Sequence, residues 1–288
     1  MADRERRMRL PWSLVMLLVL SVLLPVLGGC GRVRLRPLRE PMPEFTSPLA
    51  PLGRQNLPAG EIVQVLKDRQ RRLRTIRAKL NVVLGGREAA RQRFDVSLFV
   101  QQPNRLRLRG VQEQGTVFDV LINRNDVQAV VYPERTYYRG TLDQLRRHPQ
   151  VTAGIDPELF FDVLAMEQLL LSREAAYGQV PLRRGRQHYE ARFDYSNGTA
   201  EVFRLRQQDL LIDRYERYHG RNLTAGVSFT GYQLAEGHLV PTGFIVDVPA
   251  AGGQFGARVI EVHPNSETPE TVFDLRIPEG FARKPIAR

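Results

Sequence analysis

The chain has 288 residues with 42 lysines and arginines against 31 aspartates and glutamates, a formal net charge of +11 at pH 7. Its single cysteine excludes a disulfide framework, so a folded domain must be held together by its apolar core. No zinc-finger or RNA-binding signature accompanies the positive charge, which therefore does not indicate nucleic acid; such a chain can meet anionic lipid headgroups or simply stay soluble.

The first residues have the three parts of a secretory signal peptide. Four arginines between positions 4 and 9 form a basic start, an apolar run extends from Leu14 to Leu27, and the small residues Gly28 and Gly29 follow. The apolar run is too short to cross a bilayer comfortably, and a cleavage signal comes directly after it. We expect residues 1–29 to be removed, which leaves a mature chain with a net charge of about +9.

The sequence Leu27-Gly28-Gly29-Cys30 resembles the bacterial lipobox. This resemblance implies that Cys30 becomes the N-terminus and carries a covalent diacylglycerol and an N-acyl chain, which together anchor far better than one chain. No other cofactor is expected. The alternative is an uncleaved membrane anchor with an incidental cysteine. Gly31, rather than an aspartate, follows Cys30, which under the enterobacterial sorting rule implies the outer membrane, facing the periplasm.

Prolines then dominate the chain as far as position 58. Proline interrupts helices and central strands, so we expect residues 30–58 to form a lipidated cysteine followed by an extended linker. The predicted organisation is a signal peptide over 1–29, this linker over 30–58, and a folded domain over 59–288. The prolines of the linker are Pro37, Pro41, Pro43, Pro48, Pro51 and Pro58.

Apolar residues at helical spacing predict a helix over residues 60–75. An arginine run at its end is either a phosphate-binding patch or a solvated helix face; it comprises Arg69, Arg71, Arg72 and Arg74. From Phe94 the apolar period changes to two, which predicts half-buried antiparallel strands as far as Val131. Asp95, Ser97, Arg105 and Arg107 are expected on the water-facing side of these strands.

The second half of the chain repeats the strand pattern after a helical insertion. A short helix is predicted over residues 141–148 and a longer one over 156–172, which begins with Asp156 and Pro157. Strands are expected from about 188 to 276, separated by turn sequences. The predicted fold is mainly β (α+β): a single large curved antiparallel sheet, or half-barrel, with helices covering its concave face.

Recognisable enzyme motifs are absent, which predicts a protein that is not an enzyme. The five histidines show no paired spacing, carboxylates occur singly, and lipidation consumes the thiol of Cys30, so neither a metal site nor a catalytic residue is predicted.

A curved sheet under an apolar helix can either enclose a cavity for lipid-like ligands or form a filled core. Side chains of one parity along each strand point to the same face, so the candidate lining residues follow from the alternation. They are Phe94, Val96, Leu98, Leu106, Leu108, Phe118 and Val120 from the strands, with Phe160, Phe161 and Leu164 from the longer helix.

Residues 62–140 resemble the superfamily of periplasmic lipoprotein carriers and outer-membrane lipoprotein receptors (LolA/LolB-like). The resemblance rests on the segments Val100-Gln101-Gln102-Pro103-Asn104-Arg105-Leu106-Arg107-Leu108, Val117-Phe118-Asp119-Val120-Leu121-Ile122-Asn123 and Val130-Val131-Tyr132-Pro133. It implies a half-closed sheet with a helical lid, whose cavity receives lipoprotein acyl chains, and it implies a periplasmic carrier protein as a partner.

Being lipidated, the chain is more similar to the membrane-tethered receptor than to the soluble carrier. Two features depart from the family pattern. Gln102 stands before the proline where the carrier has a basic residue, and the loop over residues 112–115 is polar where the receptor has a protruding apolar loop. The alternative function is a non-catalytic structural or partner-binding envelope lipoprotein with a filled core. The sequence does not indicate the oligomeric state.

Overall fold

The structure of the chain, a computed structural model, describes residues 44–53, 56–86, 92–102, 104–147, 159, 162–249 and 253–286. Its helices are α1 (Ala59–Arg69), α2 (Leu142–Arg147) and α3 (Met166–Tyr177), with a 3-10 turn at Glu270–Phe273. The strands of the first half are β1 (Thr75–Gly86), β2 (Gln92–Gln101), β3 (Arg105–Gln112), β4 (Gly115–Asn123), β5 (Asp126–Val131) and β6 (Thr136–Thr141). Those of the second half are β7 (Leu182–Arg184), β8 (His188–Asp194), β9 (Thr199–Arg206), β10 (Ile212–His219), β11 (Asn222–Ala235), β12 (His238–Val248), β13 (Gly253–Pro264) and β14 (Ala282–Pro285).

All of these strands belong to one 14-stranded sheet in the order β14-β6-β5-β4-β3-β2-β1-β13-β12-β11-β10-β9-β8-β7. Strands β1–β6 and β7–β13 each form a run of antiparallel neighbours, and the pairing of β1 with β13 joins the two runs. The last strand, β14, adds to the edge strand β6 in parallel. The end strands are different, so the sheet is open, and the predicted large sheet with helices is confirmed.

The helices differ from the predicted bounds. Helix α1 ends at Arg69 because Gln70 turns to an extended conformation, which places the rest of the arginine run in a loop. The longer predicted helix, over 156–172, is interrupted by a turn at Leu164 and Ala165, so α3 begins at Met166. It extends to Tyr177 and is closed by Gly178 in the left-handed conformation, a common helix end. The predicted start at Asp156 and Pro157 lies outside the described residues. Where a strand over 271–276 is predicted, the chain instead forms the 3-10 turn.

The segment over residues 270–274 covers part of the convex face and corrects the prediction that Arg105 and Arg107 face water. Arg107 donates to both carboxylate oxygens of Asp119 at 2.9 and 2.7 Å and to the carbonyl of Val272 at 2.6 Å. Asp119 is only 4% exposed. Arg105 lies 4.1 Å from the centre of the Phe273 ring. Sequence alternation identified the face of these arginines, but not the distant segment that covers it.

Part of the predicted linker packs against the domain. Residues 31–43 lie outside the described part of the chain, but Thr46 forms a parallel bridge with Gly231, and Phe45 contacts the ring of Tyr232 with centroids 6.1 Å apart. Leu49, Leu52 and Leu57 also pack on the apolar core. The described residues between 45 and 57, ahead of residue 59, therefore already contact the folded domain.

Candidate functional site

The strand register places the predicted lining residues on one face. Leu98 lies opposite Leu108, which in turn lies opposite Val120 on β4. The neighbouring row contains Val96, Gly110 and Phe118. Because directly paired residues point to the same side of a sheet, the strand residues singled out in the sequence share the concave face. Ligand binding by these residues stays a prediction.

Burial along this face is uneven. The row of Ile76, Val100, Leu106, Ile122 and Val127, next to the loops at one end of the strands, is at most 2% exposed. Further along β1 and toward β4, several side chains of the same face are only partly buried, although Phe94, Val96 and Leu98 on β2 stay buried. These partly buried residues form an apolar surface that solvent reaches, here called the open rows: Val82, Leu84, Leu108, Phe118 and Val120.

Gly110 shapes the open rows because it leaves space for an aromatic ring. A Cβ atom at this position would lie 2.3 Å from the Phe118 ring, so Phe118 lies directly over the glycine. The same ring packs against Phe94, with centroids 5.9 Å apart. Phe94 is 3% exposed whereas Phe118 is partly exposed, so the ring of Phe118 marks the transition from the packed core to the open rows.

The helical segment covers the buried rows. Leu159, Val163 and Leu164 are each 2% exposed and belong to the same apolar core as the concave strand residues. Leu164 is therefore placed with the predicted lining residues. Phe160 and Phe161, which were predicted to cover the face, lie outside the described residues.

The second half of the concave face is filled by aromatic side chains. Phe203 contacts both Phe193 and Tyr215, with ring centroids 5.9 and 5.0 Å apart, and all three are fully buried. Phe244 and Phe255 form another contact at 6.1 Å. This part of the sheet is a packed core of large rings, so the open rows lie on the β1–β6 side.

An ion pair fastens the helices to the sheet. Arg69, at the end of α1, donates to the Glu167 carboxylate on α3 through two nitrogens, and also to the carbonyls of Asp209 and Leu210 at 2.6 Å. Burial raises the pKa of Glu167, an effect that the neighbouring Arg69 opposes. This pair fixes both helices against the turn between β9 and β10.

Glu201 is a buried carboxylate on the concave side that sequence reasoning missed. It is 3% exposed and accepts hydrogen bonds from Arg173 of α3 at 2.8 Å, from Tyr215 at 2.8 Å, and from Tyr195. Burial raises the pKa of Glu201, but these hydrogen bonds outweigh it and hold the pKa below 4.5, its ordinary value. The only sequence signal was a carboxylate at an apolar-parity position, since Glu201 shares the parity of Phe203 and Leu205.

Other kinds of site find no support in the described part of the chain. No group of three or more His, Cys, Asp or Glu side chains there is placed to hold a metal ion. A surface cavity of about 360 Å³ lies on the opposite, convex side near the β7–β8 turn, lined by polar residues that include His188, Glu190 and Arg204. None of the described helices is both long and apolar enough to cross a bilayer.

Solved structures share this arrangement of a single open sheet and covering helices. A LolA superfamily protein from Nitrosomonas europaea superposes with a TM-score of 0.51 at 10% identity, over 76% of this chain and 99% of its own. The chain has a LolA-like fold. A putative outer membrane lipoprotein-sorting protein domain from Vibrio parahaemolyticus gives 0.51 at 11% identity, over 74% of this chain and 95% of its own.

A DUF1329 family protein from Desulfovibrio piger has the same fold, with a TM-score of 0.52 at 9% identity over 74% of this chain and 95% of its own. No family model and no curated protein matches the sequence. The LolA-like fold that the sequence segments suggested is thus confirmed by structure. At sequence identities of 9–11%, these matches show a shared fold and nothing further.

A matched pair of leucines tests the division between buried and open rows. Leu98 and Leu108 face each other across β2 and β3, but Leu98 is 1% exposed and Leu108 is partly exposed. Leu98→Ala should cost about 2–5 kcal/mol of unfolding free energy through lost burial and a new void. Leu108→Ala should cost about 1 kcal/mol, as at a partly exposed position. Urea unfolding measures both changes in unfolding free energy. Equal losses would contradict the division of this face into buried and open rows.

The buried carboxylate predicts a defined pH dependence. Glu201→Gln should lower the unfolding free energy by about 2–3 kcal/mol at pH 7, because hydrogen bonds to a charged acceptor are lost. The folded-state pKa lies below 4.5, so this stabilisation is present above that pH and is lost as the pH falls through the folded-state value. The difference between wild type and variant, measured by urea unfolding, should therefore shrink as the pH falls below 4.5.

The control for Glu201 is Glu190→Gln on the convex face, where Glu190 is 39% exposed and lies 3.6 Å from Arg204. An exposed pair of this kind should change stability by less than about 1 kcal/mol. A pH-independent loss in the Glu201 variant would show that its charge does not stabilise the fold.

Proposed function

We propose that the chain is a lipid-anchored protein of the cell envelope that binds acyl chains at the concave face of its sheet. The observation that carries the proposal is the presence of the open rows, an apolar surface beside a fully packed half. Large apolar side chains that a fold leaves partly exposed, next to a core that it fills completely, are typical of a binding surface. The proposed activity is binding and transfer, without catalysis.

The chemistry of the open rows favours acyl chains over polar ligands. Val82, Leu84, Leu108, Phe118 and Val120 carry no hydrogen-bonding side-chain group, so they can exclude water but cannot orient a polar molecule. A flexible hydrocarbon chain needs only such a surface, and each methylene that it buries contributes about 0.8 kcal/mol. The solved neighbour described as a lipoprotein-sorting domain supports this ligand class.

Anchoring at Cys30 completes the proposal. The lipobox-like sequence before Cys30 supports attachment to a membrane, and Gly31 supports the outer membrane facing the periplasm. In that position the protein would receive acyl chains of lipoproteins, delivered by a periplasmic carrier protein, and take part in their localisation or insertion.

The filled half of the sheet favours a second candidate function. Aromatic packing around Phe203 and Tyr215 shows that much of the concave face is core, as a structural or partner-binding envelope lipoprotein requires. Mass spectrometry of lipids that co-purify with the mature domain distinguishes the two functions. Bound lipid supports the first, and a lipid-free folded protein supports the second.

A charge in the open rows should abolish ligand binding without unfolding the protein. Leu108→Glu places a carboxylate where an acyl chain would strip it of water, so binding of a lipophilic fluorescent probe should be lost. Leu108 is partly exposed, so the new carboxylate stays hydrated in the unliganded protein and the thermal melt should remain cooperative.

The matched control is Ile260→Glu, because Ile260 is an apolar residue that is 61% exposed on β13 and lies outside the concave apolar core. This variant should bind the probe like the wild type. Failure of the folded wild-type protein to bind any probe would reject the acyl-chain function and leave the structural one.

Acylation is expected at Cys30 alone, since the chain has no other cysteine. Cells grown with radiolabelled palmitate should incorporate label into the native protein, and Cys30→Ser should abolish this and release the protein from the membrane fraction. Equal labelling of the two forms would contradict the anchor.

A further inference from the structure

The arginine run at the end of α1 divides into two parts with different environments. Arg69 points inward to Glu167 and is 15% exposed, so it belongs to the core of the fold. Arg71, Arg72 and Arg74 follow in the loop to β1 and are exposed. Within the described residues, none of these three guanidinium groups forms an ion pair with a carboxylate. The run therefore consists of one arginine that holds the helices together and three arginines that face solvent.

These charges lie together at one end of the sheet. Arg71 packs over the β11–β12 turn, where its Nη1 lies 2.8 Å from the point that a Cβ atom on Gly237 would occupy. The carbonyl of Arg74 accepts a hydrogen bond from Gln102 in the β2–β3 turn at 2.8 Å. In the β4–β5 turn, the backbone amide of the exposed Arg124 donates to the carbonyl of Asn104 at 2.8 Å. We call this surface the basic end, formed by Arg71, Arg72, Arg74 and Arg124.

Two carboxylates near the basic end pair with arginines outside it. Glu270 pairs with Arg105 at 2.7 Å. Asp126, next to the β4–β5 turn, pairs with Arg139 at 3.1 Å. Glu236 and Glu267 are also exposed beside the basic end, but its four arginines outnumber them and leave an excess of positive charge.

The N-terminal segment enters the domain at this same end. Thr46 pairs with β11 at Gly231, the amide of Leu52 donates to Gln208 in the β9–β10 turn at 2.6 Å, and Arg206 lies 4.0 Å from the Phe45 ring centre. Cys30 precedes Glu44 by 14 residues. Such a segment reaches about 50 Å when fully extended and about 20 Å as a flexible coil. An anchor at Cys30 therefore keeps the basic end within about 50 Å of the bilayer and allows it to reach the bilayer surface.

We propose that the basic end docks on the anionic phospholipid surface of the membrane that holds Cys30. This inference rests on the proposed anchoring, and it adds the orientation of the folded domain relative to the membrane. Each arginine close to an anionic bilayer strengthens partitioning about fivefold, and the attraction fades within about 10 Å at moderate salt. The fully buried row of the concave face lies next to the basic end, so docking directs the open rows away from the bilayer, toward cargo arriving from the periplasm.

The test uses the unlipidated mature chain, residues 30–288 with Cys30→Ser, so that no acyl chain contributes to binding. Co-sedimentation compares vesicles of phosphatidylglycerol and phosphatidylcholine in equal parts with vesicles of phosphatidylcholine alone. The protein should bind the anionic vesicles, and 0.5 M salt should release it. The triple variant Arg71→Gln, Arg72→Gln, Arg74→Gln should lower the partition coefficient on the order of 100-fold, since three arginines are removed.

The matched control removes the same charge elsewhere. Arg93, Arg109 and Arg221 are exposed at the opposite end of the strands, and changing all three to glutamine should leave vesicle binding within about threefold. An equal loss of vesicle binding in both triple variants would show that only the net charge of the protein matters and would overturn the proposal. Absence of vesicle binding by the parent protein would also overturn it.

Failure of this proposal can be separated from failure of the proposed function. Probe binding at the open rows, measured on the same proteins, should be unchanged in the Arg71, Arg72 and Arg74 variant. Loss of vesicle binding with retained probe binding supports docking through the basic end. Probe binding without any vesicle binding by the parent overturns the docking surface alone, and vesicle binding without probe binding overturns the acyl-chain site alone.

Discussion

Strand β1 pairs with β13 along its whole length, from Ile76 opposite Pro264 to Gly86 opposite Gly253. The strands on either side of this pairing are connected mainly by local hairpins, so each half could form a separate sheet. Their union gives one continuous concave face and places the helices of the insertion over both halves. The pairing closes a loop that contains most of the domain, an entropic cost that grows only slowly with loop length and that the shared ladder and core offset. The open rows of the first half therefore lie on the same face as the packed core of the second half.

The two halves are packed in different ways, and the difference has a physical origin in their side chains. Rings in contact, such as those of Phe193, Phe203 and Tyr215, fill the second half and bury large areas. The first half is mostly aliphatic. Gly110 has no side chain, and the ring of Phe118 occupies the space above it. The filled half can supply much of the stability of the domain, which allows the other half to keep apolar surface in contact with water.

Buried charges set the positions of the helices relative to these halves. Arg69 with Glu167, and Arg173 with Glu201, join helices to the strands and turns of the second half. A buried ion pair contributes little net stability compared with apolar packing, but removing one partner is costly, so such pairs tend to specify one arrangement. We infer that these two ion pairs hold α1 and α3 against the filled half, while the open rows toward β4 stay accessible to solvent.

The sequence by itself determined the class of the fold and the face on which the candidate site lies. Alternation with a period of two fixes which side of a strand each residue occupies, because neighbouring side chains point in opposite directions. Phe94, Leu98, Leu108 and Val120 could therefore be assigned to one face without a structure. Only the tertiary structure decided which of them are buried, since exposure depends on what packs across the sheet. The same reason explains why Arg69 and Arg71, nearly identical in local sequence, have opposite environments: distant segments, including Glu167 and Asp209, surround Arg69 and leave Arg71 in solvent.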